Sequence, residues 1–190
     1  MQMDYHNPVL LSETVGGLNI KKDGVYVDVT FGGGGHSREI LKHLGEDGRL
    51  IAFDQDQDAL LNTIDDNRFL LINENFRHIS RFLRFYGIKK VDGILADFGV
   101  SSHQFDEANR GFSTRFNADL DMRMNQLDEL SAYNVVNDYN EEDLKRVLLQ
   151  YGELRQASVF ARSIVAEREK GPIKTTEQLK QIIRKHMPER

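Results

Sequence analysis

The chain has 190 residues, 39% apolar and 29% charged, which is enough for one full domain or slightly more with an ordinary core. It contains no cysteine, so disulfides, thiolate metal sites and cysteine nucleophiles are excluded for the residues present, and a reducing, cytoplasmic setting fits. A formal net charge of −5 speaks against a polyanion partner, and no stretch reaches the ~20 apolar residues of a membrane span. The opening MQMDYHNPVLLSETV has neither a basic leader nor a continuous apolar run, so no targeting segment is expected there.

Residues 9–17 read as a short opening helix with Asn7 or Pro8 near its start. VYVDVTF (25–31) is β-branched and aromatic and runs into four glycines, a strand followed by a tight turn. His36 to Leu44 reads as a helix stopped by Gly45, RLIAFD (49–54) as a second strand, and 56–62 as a helix. FLLIN (69–73) is a third strand. Phe76, Ile79, Leu83 and Tyr86 fall at helical spacing over 76–87, and VDGILADF (91–98) is a fourth strand that reads as buried on both faces. Strands alternating with helices predict an α/β, doubly wound parallel sheet. Residues 100–130 are polar and irregular. Helices are predicted at 131–137, 141–151, 154–170 and 175–186, with Asn140 and Thr175 or Thr176 as caps. In a sheet ordered 3-2-1-4 the fourth strand would be an edge, and long apolar edges are normally covered, so further strands are expected beside it and the chain reads as a fragment.

Charge divides along the same line. Residues 1–144 hold 14 Lys and Arg against 25 Asp and Glu, whereas residues 145–190 hold 11 against 5. A basic tail on an acidic body points to nucleic acid, or marks the solvated faces of amphipathic helices.

The segment DVTFGGGGHS (28–37) lies where the first strand hands over to a helix, and Asp54 follows Gly35 by 19 residues at the end of the second strand. Glycines there permit positive φ and close approach of a ligand, and a strand-end acid at that distance accepts hydrogen bonds from ribose hydroxyls. No Lys-Ser or Lys-Thr follows the glycines, which excludes a P-loop. In the frame starting at Gly33, GxGxxG fails at Arg38, which favours a nucleoside cofactor without phosphates. The Asp97-Phe98-Gly99 triplet lacks the other kinase segments.

With VDVTFGGGGHS, DFGVSSHQFD, RGFS and LDMRM together, the sequence resembles the bacterial 16S ribosomal RNA cytosine-N4 methyltransferase family over its whole length. The resemblance implies an S-adenosylmethionine-dependent class I methyltransferase, a Rossmann-like parallel sheet that is incomplete here and carries an inserted helical domain. Residues 1–104 would be the cofactor-binding part and 105–190 most of the insertion. It implies cofactor contacts at Gly34, Gly35, His36, Asp54, Phe76, Asp97 and Gln104, and 16S ribosomal RNA or the small ribosomal subunit as partner. No membrane or metal is implied, and a homodimer is left open. Phe76 stacks near adenine on this reading or is a core residue of its helix; Arg110 and Arg123 contact RNA phosphate or form salt bridges within the loop. The family's later HPATRTFQA-like and Ser-Phe-His-Ser segments have no counterpart after Met187–Arg190.

The absence of a thiol favours a nitrogen or oxygen acceptor, because carbon-5 methylation of a pyrimidine generally passes through a thiolate adduct. The catalytic residue stays open. Two other readings are an NAD-dependent oxidoreductase domain and a non-catalytic RNA-binding protein with a degenerate methyltransferase fold.

Overall fold

The computed structural model describes Pro8 and residues 10–186, so His6, Asn7 and Val9 of the HNPVLL opening lie outside the described residues, as do Met187–Arg190. The chain forms two compact units: Met1–Ser102 with Met124–Gln126, and His103–Arg123 with Leu127–Arg190.

The first unit holds α1 (Leu11–Gly17), β1 (Val25–Asp28), α2 (Gly35–His43), β2 (Arg49–Phe53), β3 (Phe69–Ile72), α3 (Ile79–Phe85) and β4 (Gly93–Leu95). Its four strands are parallel in the order β3-β2-β1-β4. Side chains alternate between faces with the strand period of two. Tyr26, Leu50 and Leu95 pack on one side with Val15, Ile40, Leu41 and Leu44. On the other side Val27, Ile51, Phe53 and Ile72 gather Ile79, Phe82 and Leu83 of α3. The central strands β1 and β2 are thus covered on both faces, as parallel strands require.

Three expectations shift. Residues Gln57–Asn62 form a 3-10 helix rather than an α-helix. Ala59 alone is buried there and Leu61 is exposed, so no apolar stripe is packed to favour a longer helix. The segment at 76–87 divides into a 3-10 turn (Phe76–His78) and α3, and the fourth strand shrinks to three residues with Ile94 52% exposed. β4 stops early because Asp97 N–H donates to Thr30 Oγ1 (2.8 Å), which draws the chain off the ladder after the Asp28–Leu95 pair.

The second unit contains α4 (Ser102–Asp106), a 3-10 turn (Ala108–Arg110), α5 (Ala132–Asp138), α6 (Glu141–Gln150), α7 (Ala157–Arg168) and α8 (Thr176–Arg184). Its core is Leu120, Val136, Leu144, Ala161, Ile164, Ile173 and Ile182. Asn140 caps α6 by accepting from Asp143 N–H, and Thr175 caps α8 through a reciprocal box with Gln178. The short elements at 102–110 fall in the stretch expected to be irregular.

Candidate cofactor site

Parallel strands end together, so the turn after β1, the turn after β2 and the loop after β4 share the carboxyl edge of the sheet, where α/β folds bind ligands. Gly32 and Gly34 take φ of 51° and 75°, values that disfavour a side chain. A Cβ on Gly34 would strike the Phe31 ring, whereas one on Gly32 would meet nothing within 4 Å. The turn is therefore tight behind and open in front. Gly35 opens α2 against Pro8, where a Cβ would collide with the proline ring.

Asp54 holds this turn. Its Oδ2 accepts from Gly32 N–H at 2.7 Å and its Oδ1 from Asp56 N–H at 2.9 Å. Burial pushes its carboxyl above the ordinary value, against the two amides that favour the charged form. Each oxygen keeps a lone pair beyond these bonds, enough to accept from a ligand hydroxyl. Arg38 donates to Gly33 O (2.5 Å) and Asn62 O (3.0 Å), and Asn62 Nδ2 donates to Gly32 O (3.1 Å), so the glycines are held rigidly.

A second carboxylate lies beneath. Asp28 is fully buried at the end of β1, and burial raises its carboxyl above the usual range. It accepts from Ser37 Oγ of α2 (2.7 Å) and from Thr30 N–H (3.1 Å), and Thr30 Oγ1 in turn accepts from Asp97 N–H. One buried carboxylate thereby ties the start of α2 to the end of β4. His36, 6% exposed, is the second residue of α2, and its Nε2 is buried with no hydrogen-bond partner among the described residues.

Six of the seven sequence-predicted residues fall in this unit: Gly34, Gly35 and His36 in the turn, Asp54 after β2, Phe76 after β3 and Asp97 after β4. Phe76 is 38% exposed, its ring centroid 5.7 Å from that of exposed Phe98, so it is not the core residue that helical spacing allowed. Gln104 belongs to the other unit, where it is buried on α4. Asp28, Thr30, Arg38 and Asn62 were not anticipated; an acid ending an apolar strand, as in VYVD, was the available signal for the first. Arg123 forks onto Asp121 (3.0 and 2.6 Å), which favours its salt-bridge role over a phosphate role, whereas Arg110 is buried and donates to Arg123 O.

The arrangement offers an open glycine turn, a half-buried acceptor and an unpartnered buried nitrogen, which fits a nucleoside ligand carrying hydroxyl and amino donors. The sequence profile of the MraW methylase family matches residues 3–190. A protein of Flavobacterium johnsoniae named ribosomal RNA small subunit methyltransferase H is 66% identical over 188 residues, 99% of this chain and 62% of its own. Proteins of the same name from Christiangramia forsetii (68% identical; 96% of this chain, 60% of its own) and Bacteroides thetaiotaomicron (52%; 96% and 60%) are also similar. The chain thus spans about three fifths of the length of these curated relatives. Membership in a methylase family leaves the nicotinamide alternative without support. On the family profile and on relatives up to 68% identical, this chain belongs to the MraW methylase family.

Proposed function

We propose that the chain carries the S-adenosylmethionine-binding part of a methyltransferase acting on the N4 amine of a cytosine in 16S ribosomal RNA of the small subunit, in the cytoplasm. Residues 1–104 act as the cofactor part and 105–190 as most of an inserted helical domain. The observation that carries this reading is the half-buried Asp54 carboxylate facing an open glycine turn at the carboxyl edge of a parallel sheet. S-adenosylmethionine supplies a methyl group activated on a sulfonium. Asp54 accepts hydrogen bonds from its ribose hydroxyls. Gly34, Gly35 and His36 would border its methionine portion, at the start of α2. The exposed Phe76 ring would take a face of adenine, and Asp97 would complete the contacts within this unit.

A sulfonium methyl group is transferred by in-line displacement, so the residues contribute mainly by positioning the reactants. The Asp28–Thr30–Asp97 chain of hydrogen bonds fixes the loop after β4 relative to the glycine turn. The outer edge of β4 has no paired strand among the described residues, and the relatives are longer. The 190 residues alone are therefore expected to bind cofactor without transferring methyl groups, and to self-associate through the β4 edge. Calorimetry with S-adenosylmethionine and S-adenosylhomocysteine tests the first part, and labelled-methyl transfer to small-subunit RNA the second. No binding of either compound would overturn the cofactor site.

A further inference from the structure

Residues 114–117 of the helical unit are exposed, yet their backbone is held by hydrogen bonds. Arg115 N–H donates to the buried Ser113 Oγ (3.2 Å), and Lys180 Nζ donates to Thr114 O (3.0 Å). Thr176 Oγ1 donates to Phe116 O (2.9 Å), while Thr176 N–H donates to Ala118 O (2.8 Å). On this support the Arg115 guanidinium lies over two rings, 5.3 Å from the centroid of Phe105 and 5.9 Å from that of Phe116. Both rings are about two fifths exposed, and the arginine side chain is 59% exposed. Both rings therefore keep accessible apolar surface beside a guanidinium, on backbone held by hydrogen bonds.

We propose that Phe105, Arg115 and Phe116 form a stacking platform for an unpaired nucleobase of the RNA substrate. The inference rests on the RNA methyltransferase reading above. Unstacked RNA bases are received on aromatic faces and on guanidinium planes, and this cluster brings two rings and a guanidinium together. Charge favours a base over a phosphate. Asp106 sits 2.7 Å from the Arg115 guanidinium, which neutralises it as a point charge and leaves the neighbouring rings as the receiving surface. The backbone of the same strand would meet the positive balance of residues 145–190.

The test uses the 190-residue chain and a single-stranded RNA octamer carrying one 2-aminopurine, titrated across a salt series. Stacking quenches the 2-aminopurine, and Phe105→Leu and Phe116→Leu each weaken binding on the order of 5- to 100-fold and abolish the quench. Phe116→Trp retains both, which separates a lost π face from a misfolded segment. Arg115→Lys keeps the charge and loses the plane, so it weakens binding without changing the log–log salt slope. Wild-type affinity and quench in the leucine variants overturn the platform and assign the segment to another occupant, such as a protein surface. A chain that binds S-adenosylmethionine but no unpaired RNA at low salt overturns the platform while the cofactor site stands; a chain that binds neither overturns both.

Discussion

In the sheet unit the carboxylates of Asp28 and Asp54 are withdrawn from water and held above their ordinary range, whereas in the helical unit Asp121, Glu167 and Glu177 lie beside Arg123, Lys170 and Lys180 and are held below it. Each of the first pair accepts from a backbone N–H two residues on and from a second donor further off, Ser37 Oγ for Asp28 and Gly32 N–H for Asp54. The second set is paired within one turn of helix or two residues of chain. A buried acid satisfied by fixed dipoles costs stability and fixes geometry, which suits a site that must meet a small ligand. Acids paired at the surface cost little and fix little. The sheet unit thus keeps two buried acids at its carboxyl edge besides surface pairs such as Asp66–Arg68 and Asp92–Lys21, whereas Asp121, Glu167 and Glu177 of the helical unit lie beside basic side chains on solvated faces.

The sharpest way to break this contrast is through the cores. Ile164 is 2% exposed at the centre of the helical unit, and Ile164→Ala should cost about 2–5 kcal/mol. Hydrogen exchange should then lose protection across α5 to α8 while β1 and β2 keep theirs. Equal loss in both units would mean that they do not have separate cores. At the sheet edge, Asp54→Ala removes the acceptor and releases Gly32. We expect S-adenosylmethionine affinity to fall roughly ten- to hundredfold, or about 1.5–3 kcal/mol, in calorimetry. Unchanged affinity would reduce Asp54 to a turn strut.

What the sequence disclosed follows the same division. Regular elements were legible because their signals are local: a β-branched and aromatic run for β1, a short apolar run for β2, and side-chain caps at Asn140 and Thr175. The glycine turn and Asp54 were legible because the strand order places them at one edge. Asp28 and Thr30 were not, since the partners that give them meaning, Ser37 and Asp97, come from α2 and from the loop after β4. The Phe105–Arg115–Phe116 cluster was hidden for the same reason; ten residues separate its first ring from its guanidinium, and its support comes from Thr176 and Lys180. The length of the fourth strand was overread because ILADF is apolar enough for a strand, while the Thr30 hydroxyl that ends the ladder lies 67 residues from Asp97.

Titration gives a contrast of opposite signs. Asp28 is raised by burial, so the stability it confers is present below its ordinary value of 3.8 and is lost as pH rises through its folded pKa. Asp28→Asn should therefore gain on the wild type as pH increases, if asparagine keeps the Ser37 bond. Asp121 is lowered by the forked Arg123, so its contribution is present above 3.8 and is lost as pH falls through its folded pKa. Asp121→Asn should cost about 1 kcal/mol near neutral pH and nothing in strong acid. Denaturant midpoints across a pH series check both, and parallel profiles for the two variants would erase the distinction.

The smallest effects concern the basic helices, where the structure divides six candidate phosphate contacts by what already engages them. Arg168 donates to Val136 O, and Lys180 to Thr114 O and Glu177, so each would have to leave a partner to meet RNA. Arg162, Arg184 and Lys185 face carboxylates at 3.8, 3.7 and 3.9 Å with side chains at least 63% exposed, distances at which water already competes. Arg155 is exposed and makes no ion pair among the described residues. Exchanging a solvated carboxylate for a phosphate is nearly neutral, whereas giving up a partly buried carbonyl bond costs about 1 kcal/mol. Glutamine at Arg155, Arg162, Arg184 or Lys185 should change stability by less than about 0.5 kcal/mol. Where a residue contacts RNA, its replacement should lower the log–log salt slope by about 0.7–0.9. Glutamine at Arg168 should leave the slope unchanged and lower stability instead. A slope that responds to Arg168 and ignores the other four would place the RNA against the Val136 side of α7 and refute the division drawn from these contacts.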